Sequence, residues 1–361
     1  MGIELVVSRR GFMAGALALA TPDFGWAGLG SVRFLNAAQR PDGAYALFGI
    51  SASGEALFSV PLPERGHAAA AHPEVPEAVG FARRPGVFAF VLDCVSGRVL
   101  HRLDAPEGRH FYGHGVFSMD GRFLFTTEND YEAGEGVIGI WDRSLGYVRV
   151  GEMPSGGVGP HDIRRLPGTD VLVVANGGIE THPDSGRAKL NIPMMEPNLA
   201  YLRGDGVEEI VELPRAMHKN SIRHMAVRED GLVAFGMQWQ GDVAQAPVLF
   251  GVHMRGEAPR LLWPTEQEKD ALRGYVGSVT FSQDGAQVAI SSPRGGVVQV
   301  IDVAEMRVAR SVEMPDVCGI GADESGFVLT SGDGRVARVD ENRFVDLGRQ
   351  DLRWDNHMVA L

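Results

Sequence analysis

Five histidines recur at one position of an internal repeat, and imidazole side chains gathered in this way favour a transition-metal site. Aligning the repeat on its Asp-Gly turns gives a column of seven positions, five of which are His67, His114, His161, His224 and His357. The other two positions hold Ser278 and Gly319. Neutral imidazole binds copper, iron, nickel and zinc, and three or four converging nitrogens suffice for one ion. We therefore predict a metal site in which neighbouring histidines share an ion.

Polar residues in the long loops form a second candidate set. The longest loops follow the second strand of each repeat, and function concentrates on such loops. Glu128, Asp130 and His182 could complete the coordination shell of a metal ion or orient its ligands. Arg187 and Lys189 could bind the carboxylate of a ligand. The predicted ligand-binding residues are Glu128, Asn129, Asp130, Asn176, His182, Arg187, Lys189, Gln238 and Trp239.

The repeat that positions these residues reads as four short strands in about 40 residues, which is typical of a propeller blade. Its clearest copy begins at His114 with a strand, an Asp120-Gly121 turn and a second strand. The 47 glycines and 20 prolines fit many turns, and long helical patterns are almost absent. The sequence therefore predicts an all-β fold with six blades near residues 66–108, 112–156, 159–216, 222–275, 276–315 and 317–352.

The two ends of the chain complete a seventh blade. Residues 32–62 contain only three predicted strands, and residues 357–361 resemble the start of an inner strand. One strand from the C-terminus and three from the N-terminus make a full blade and remove the open edge of the ring. We predict a seven-bladed β-propeller closed in this way, as a single domain over residues 31–361.

The side chains two positions beyond the histidine column should face the channel as well, because strand residues alternate between faces. They are small or apolar, so a polar ring above an apolar throat is expected, which resembles a ligand site. The predicted channel-lining residues are Ala69, Val116, Ile163, Ala226, Thr280, Gly321 and Val359.

The N-terminus has the features of an export signal. Arg9 and Arg10 precede Phe12 and a short apolar run that ends at Ala20. The run is too short to span a bilayer, so residues 1–20 are predicted to be a twin-arginine signal peptide that directs the folded chain to the periplasm. The net charge of −12 disfavours binding to nucleic acid and to anionic lipid.

Several longer motifs together resemble an exported bacterial propeller family of unknown function with WD40- and YVTN-like repeats. These motifs include Tyr112-Gly-His-Gly-Val-Phe-Ser118, Thr127-Glu-Asn-Asp-Tyr-Glu132, Gly159-Pro-His-Asp162, Thr181-His-Pro-Asp-Ser-Gly-Arg-Ala-Lys-Leu-Asn191, Ser221-Ile-Arg-His224, Gly236-Met-Gln-Trp239 and Tyr275-Val-Gly-Ser278. Genes of that family commonly accompany imelysin-type and di-haem-peroxidase-like proteins in iron-acquisition clusters. The resemblance implies a metal-related periplasmic role, but it supplies no activity and no catalytic residues. We predict a monomer that binds iron or copper, or else a small ligand, at the histidine-ringed channel.

Three other interpretations of the same residues stay open. Gly113-His114 with Trp141-Asp142 resembles the paired motifs of WD-repeat propellers, in which the histidine is structural. A lactonase-like hydrolase could use His161 with Asp162, or His114 with Glu128, as an acid–base pair. A docking platform for an imelysin-type partner could use aromatic side chains of the upper loops. No nucleophile elbow, phosphate loop or dinucleotide motif is apparent, so a non-catalytic role is favoured over an enzyme.

Overall fold

The computed structural model describes residues 25–29, 31–83, 86–186 and 188–361. The predicted signal peptide and Arg187 lie outside these residues. The described residues form 28 strands: β1 (Val32–Gln39), β2 (Tyr45–Ser51), β3 (Ala56–Leu62), β4 (Gly66–Ala71), β5 (Glu77–Ala82), β6 (Phe88–Asp93), β7 (Arg98–Asp104), β8 (Arg109–Phe117), β9 (Phe123–Asp130), β10 (Glu135–Asp142), β11 (Val148–Pro154), β12 (Pro160–Arg165), β13 (Leu172–Asn176) and β14 (Asn198–Arg203), followed by β15 (Gly206–Glu212), β16 (Asn220–Val227), β17 (Val233–Trp239), β18 (Phe250–His253), β19 (Arg260–Leu261), β20 (Ser278–Phe281), β21 (Gln287–Ser292), β22 (Val297–Asp302), β23 (Arg307–Glu313), β24 (Val317–Asp323), β25 (Gly326–Ser331), β26 (Arg335–Asp340), β27 (Arg343–Arg349) and β28 (Arg353–Ala360).

Helical segments are short and lie between strands. The described residues contain the α-helix α1 (Glu266–Ala271) and the 3-10 turns Trp26–Leu29, Arg143–Leu145, Pro183–Ser185, Ile192–Met194, Arg215–Met217 and Val243–Gln245. Helix α1 begins with a capping box, in which Thr265 accepts from the backbone of Glu268 and Glu268 accepts from the backbone of Thr265. None of the helices in the described part of the chain has the length and hydrophobicity of a membrane span.

The strands form seven antiparallel four-stranded sheets. Six sheets are consecutive along the chain, from β4–β7 (blade 2) to β24–β27 (blade 7), and the remaining one has the order β28-β1-β2-β3 (blade 1). The inner strands β28, β4, β8, β12, β16, β20 and β24 each contact the next in a closed circle. The predicted seven-bladed propeller and its closure by the C-terminal strand are confirmed.

The Asp-Gly turns that revealed the repeat are held by one recurring set of hydrogen bonds. In blade 3 the Ser118 hydroxyl donates to Asp120 (2.6 Å) and accepts from the backbone of Phe123 (2.9 Å). Ser282 makes the equivalent bonds in blade 6. Gly121 has φ +69°, in the left-handed region that glycine adopts without strain. These short turns therefore fix the register of the first two strands of a blade.

The hydrophobic core lies between the blades, where the faces of neighbouring sheets meet. One cluster joins Ile138 of blade 3 to Ile163, Leu172 and Val174 of blade 4. At the closure, Met358 of β28 packs with Phe34 of β1 and Val328 of blade 7. Burial of this apolar surface is the main favourable contribution to folding, and it tethers each inner strand near the axis.

The inner strands are irregular near the histidines. In each of the strands that carry them, the pairing with the second strand of the blade shifts register at one point. In four of these strands the shift lies between Gly66 and Ala69, Phe111 and Gly115, Pro160 and Asp162, and Ile222 and His224. In the fifth, β28, it lies between Trp354 and Met358. Such β-bulges bend a strand and redirect its side chains. They occur in all five blades that carry a histidine of the column.

Candidate metal centre

The five histidine side chains meet on the propeller axis, and we call this cluster the hub: His67, His114, His161, His224 and His357. None is more than 8% exposed. The centroids of rings in contact lie between 4.4 Å (His67 to His357) and 6.1 Å (His114 to His224) apart. Rings from non-adjacent blades also touch, because His224 of blade 5 lies 4.7 Å from His357 of blade 1. The hub is therefore denser than a ring in which only neighbours meet.

A glycine makes this density feasible. Gly113 has φ +100°, and a β-carbon at this position would lie 2.6 Å from Cδ2 of His67. A larger residue would push the His67 ring away from its neighbours. The Gly-His motif of blade 3 thus contributes to the hub through its glycine as well as its imidazole.

Two groups of three histidines have nitrogens close enough to serve a single ion. In each group, one ring nitrogen per residue lies within 4.8 Å of the others. The first group is His67, His114 and His357, and the second is His114, His161 and His224. His114 belongs to both groups and is the point where they join.

Four buried ring nitrogens of the hub have no hydrogen-bond partner. Nδ1 of His67, Nε2 of His114, Nδ1 of His224 and Nε2 of His357 are buried and unsatisfied. Buried polar atoms are normally paired, because an unpaired one costs about 1–3 kcal/mol. Four such atoms within one cluster of contacting rings are what a site that holds a ligand is expected to show.

Two histidines have their tautomer set by a hydrogen bond. Nδ1 of His114 lies 3.2 Å from Oδ1 of Asp162, and Nδ1 of His161 lies 3.1 Å from the carbonyl oxygen of Arg223. Both oxygens accept, so each Nδ1 donates a proton and each Nε2 keeps its lone pair. A carboxylate or carbonyl behind the imidazole is the usual arrangement for histidines that bind metals.

Asp162 is held in the ionised form that this arrangement requires. It is 1% exposed and accepts from the backbone of Met225 in the next blade (2.9 Å). Burial alone would raise its pKa, but the charge of Arg164 and the hydrogen bond from His114 outweigh burial and hold the pKa well below its usual range. The sequence had suggested His161 as the acid–base partner of Asp162, whereas the structure pairs Asp162 with His114.

Burial keeps the other hub histidines neutral. The pKa of His224 is lowered to about 3 by burial, with a further contribution from His114. Burial also places the pKa values of His67, His161 and His357 well below their usual range. The cause is the poor solvation of a charged imidazolium in the interior. Neutral imidazole is the form that binds metals.

The hub separates two cavities along the axis. The lower cavity, of about 450 Å³, opens among the short turns and is lined by His114, His224 and His357, together with Asp162 and Arg164. The upper cavity, of about 250 Å³, opens among the long loops and is lined by His67, Arg83, Tyr112, His161, Lys189, Arg223, His224, Gln238, Gln240, Tyr275, Arg294 and Asn356.

Most of the predicted throat is found in the lower cavity, but two residues face elsewhere. Ala69, Val116, Ala226, Thr280 and Val359 line it as expected. Ile163 instead packs between blades 3 and 4, and a side chain at Gly321 would meet Phe34 in the core. Asp162, Arg164 and Ala322 line the cavity in these two strands, so their faces are offset by one residue from the prediction.

The structure divides the predicted loop residues. Lys189 and Gln238 line the upper cavity. Asn129 donates to the carbonyl of Thr181 (3.0 Å), and Asn176 donates to Ser155 and Asn198 (both 2.9 Å). These two amides therefore tie loops and strands together at a distance from the hub.

The remaining predicted loop residues also have partners outside the hub. Asp130 pairs with Arg109 (3.3 Å). His182 accepts from the backbone of Asp184 (3.2 Å), and its Nε2 lies 3.5 Å from Glu132. The indole of Trp239 donates to the carbonyl of Asp242 (2.8 Å).

Glu128 lies inside blade 3 rather than at the hub. Its carboxylate is fully buried, accepts from Thr126 (2.8 Å) and pairs with Arg149 (2.9 Å). Thr126 in turn accepts from the indole of Trp141 (3.0 Å). A β-carbon at Gly139 would overlap Oε1 of Glu128, so this glycine makes room for the carboxylate. These contacts link β9, β10 and β11 and give Glu128 a structural role.

Replacing Glu128 with Gln should therefore weaken the fold and leave metal binding unchanged. The change removes the ion pair with Arg149, and a charge-assisted hydrogen bond of this kind contributes about 1.5–3 kcal/mol. Thermal unfolding should show a lower Tm, while metal titration of the folded variant should match the wild type. Lost metal affinity in a variant of normal stability would assign Glu128 to the metal site instead.

The sequence analysis did not assign several residues around the hub to a site. Those that line the upper cavity are Arg223, Asn356, Tyr112, Gln240, Tyr275 and Arg294. Asp162 had been named, but as a partner of His161 and not as the group that orients His114. One signal was present, because Arg223 and Asn356 directly precede histidines of the column. Tyr112 lies in β8, two residues before His114, whereas Gln240, Tyr275 and Arg294 come from separate loops that only the closed ring brings together.

Comparison with protein-family profiles shows which family the chain belongs to. A family profile described as "Protein of unknown function (DUF1513)" matches residues 60–361. The chain belongs to this family. No curated protein matches the sequence. The match covers the six blades from β4 onward and includes every histidine of the hub.

Solved structures show the same architecture at low sequence identity. A chain of "Kuenenia stuttgartiensis Hydrazine Synthase" is 13% identical with a TM-score of 0.59, covering 86% of this chain and 94% of that one. "Structure of U3-55K" gives 11% identity, a TM-score of 0.58 and coverage of 80% and 82%. A chain of "Crystal Structure of Mitotic Checkpoint Complex" is 12% identical with a TM-score of 0.53, covering 78% of this chain and 75% of that one. At this identity the likeness describes the fold alone.

Proposed function

We propose that this protein is an exported metal-binding propeller whose hub holds one first-row transition-metal ion. The observation that carries the proposal is the convergence of five buried histidines with four unpaired ring nitrogens. A purely structural cluster would be expected to satisfy these nitrogens, since leaving each of them unpaired costs free energy. A metal ion would satisfy several of them at once.

The donor set favours a borderline metal. Imidazole nitrogen suits copper, iron, nickel and zinc, whereas calcium and magnesium take oxygen ligands. The carboxylate of Asp162 contacts the hub through Nδ1 of His114 (3.2 Å) and orients that ring. With Nδ1 engaged, His114 has only Nε2 to offer, so the two histidine groups would serve one ion rather than two.

Binding would draw the rings together. Metal–nitrogen bonds of about 2.0–2.1 Å in a tetrahedral site place the ligand nitrogens about 3.3–3.4 Å apart. The nitrogens within each group lie up to 4.8 Å apart, so the rings would move inward by about 1 Å. The cavities on either side leave space for that movement.

Export and a part in metal acquisition complete the proposal. The twin-arginine motif at Arg9 and Arg10 supports transport of the folded chain to the periplasm. The resemblance to propellers encoded beside imelysin-type proteins favours iron or copper as the cargo and such proteins as partners. A closed hub suits holding or transferring an ion better than turning over a substrate, because the ligands are at most 8% exposed.

Metal analysis of the protein purified from the periplasm tests the proposal. We expect about one equivalent of iron or copper per chain, and rebinding of one Cu²⁺ to the metal-free protein with nitrogen hyperfine structure in its paramagnetic resonance spectrum. A protein that binds no first-row ion tightly would contradict the metal role. Recovery of the chain only from the cytoplasm would contradict export.

A further inference from the structure

The upper cavity concentrates positive charge beside the hub. Arg83, Lys189, Arg223 and Arg294 line it, and no carboxylate is found among its lining residues in the described part of the chain. The remaining polar lining groups are neutral donors and acceptors, including Tyr112, Gln238 and Asn356. This charge is local, because the whole chain carries a net charge of −12.

Three of the four cations are anchored before any ligand arrives. Nε of Arg223 donates to the Ser221 hydroxyl (2.8 Å), and the guanidinium carbon of Arg294 lies 4.6 Å from the ring centre of Tyr275. Lys189 donates to Gln240 across the mouth. Anchored donors lose little conformational entropy when they bind a ligand, so the cavity is preorganised.

The same charges oppose the entry of a bare cation. A concave surface lined with charges of one sign focuses its field, repelling like charge and attracting opposite charge. Guanidinium groups also match the paired oxygens of carboxylate and phosphate. A volume of about 250 Å³ lies below the roughly 300–1,000 Å³ of common ligand pockets, which restricts the occupant to a small molecule.

We propose that the upper cavity binds a small, multiply charged oxyanion that carries carboxylate or phosphate oxygens. His67, His161 and His224 belong to both the hub and the wall of this cavity, so the anion would lie beside the metal and compensate its charge. This last step rests on the proposed metal function, whereas anion binding itself does not. The metal ion would reach the hub through the lower cavity, or through the upper cavity as an anionic chelate.

Titration calorimetry of the metal-free protein tests the proposal with two probes, citrate and inorganic phosphate. The variant Arg294→Gln/Lys189→Gln removes the two exposed cations of the cavity. The control Arg307→Gln/Arg343→Gln removes two exposed cations from the outer strands β23 and β27, so both variants have the same net charge. We expect the cavity variant to bind about 10- to 100-fold more weakly than the wild type and the control to match the wild type.

The two probes distinguish the sources of the oxyanion. Tighter binding of citrate indicates a polycarboxylate, and tighter binding of phosphate indicates an inorganic oxyanion. Failure of both anions to bind, or equal weakening in the cavity and control variants, overturns the proposal. If the protein binds an anion but no metal, the proposed anion site stands and the proposed metal function is refuted. Failure of the anion proposal can therefore be told apart from failure of the metal proposal.

Discussion

Replacing His114 with Gln is expected to lower the affinity for a first-row ion more than any other single change in the hub. His114 is the histidine common to both groups, and it is oriented by a buried carboxylate. Loss of a partner that merely orients a ligand costs about 10- to 100-fold in affinity. Loss of the ligand itself should therefore exceed about 100-fold, as measured by competition with a chromophoric chelator.

Two further variants locate the ion within the hub. His67→Gln disrupts only the first group and His161→Gln only the second. Loss of affinity in one but not the other assigns the ion to that group, and loss in both indicates a site that uses the whole hub. His218→Gln serves as the control, because this side chain bonds to the Arg215 carbonyl and lies outside the hub. Unchanged affinity and stoichiometry in His114→Gln would refute the metal site.

Deleting residues 356–361 should destroy the cooperative fold. The deletion removes the pairing of Met358 and Val359 with Asn36 and Leu35 of β1, and it removes the buried side chain of Met358. Burying a methionine side chain contributes about 1.5–3 kcal/mol, and each lost backbone hydrogen bond about 0.5–1.5 kcal/mol. The sum is comparable with the total stability of about 5–15 kcal/mol for a typical domain.

The opened ring would have a second defect, because β1 would become an exposed edge from Phe34 to Asn36. Unpaired edge strands promote aggregation. We expect the truncated protein to lose its sharp thermal transition and to elute as aggregates in size-exclusion chromatography. Removing Leu361 alone is the matched control and should melt like the wild type, since this residue adds one backbone hydrogen bond to Arg33. A truncated protein that melts cooperatively at an unchanged temperature would contradict closure by β28.

His357→Gln separates the two roles of the closing strand. The substitution keeps β28 in place but removes one hub nitrogen, so the variant should fold and bind metal more weakly. The truncated chain should instead lose both properties. If the His357→Gln variant failed to fold, the His357 imidazole would be required for the stability of the fold. Metal affinity would then be measured in the His67→Gln and His161→Gln variants.

Periodicity and turn chemistry in the sequence determined the fold. The Ser-x-Asp-Gly turns at residues 118–121 and 282–285 mark the start of a blade by local hydrogen bonding. The lone strand after residue 352 had no partner except the three strands at the other end. The histidine column was visible for the same reason, because one position per repeat corresponds to one place around the axis.

The faces of individual side chains and the partners of charged groups depended on tertiary structure. In blade 4 the strand faces are offset by one residue, so Ile163 packs in the interblade core and Asp162 contacts His114 of the preceding blade, neither of which alternation from the histidine column predicts. Glu128 resembled a ligand in sequence, but Arg149 and Gly139 enclose it inside the blade. The cations of the upper cavity lie up to 211 residues apart, from Arg83 to Arg294. A sequence repeat shows the strands and turns that every blade shares, because these depend on residues close together in the chain. Contacts across the propeller axis join residues of different blades and form only when the ring closes.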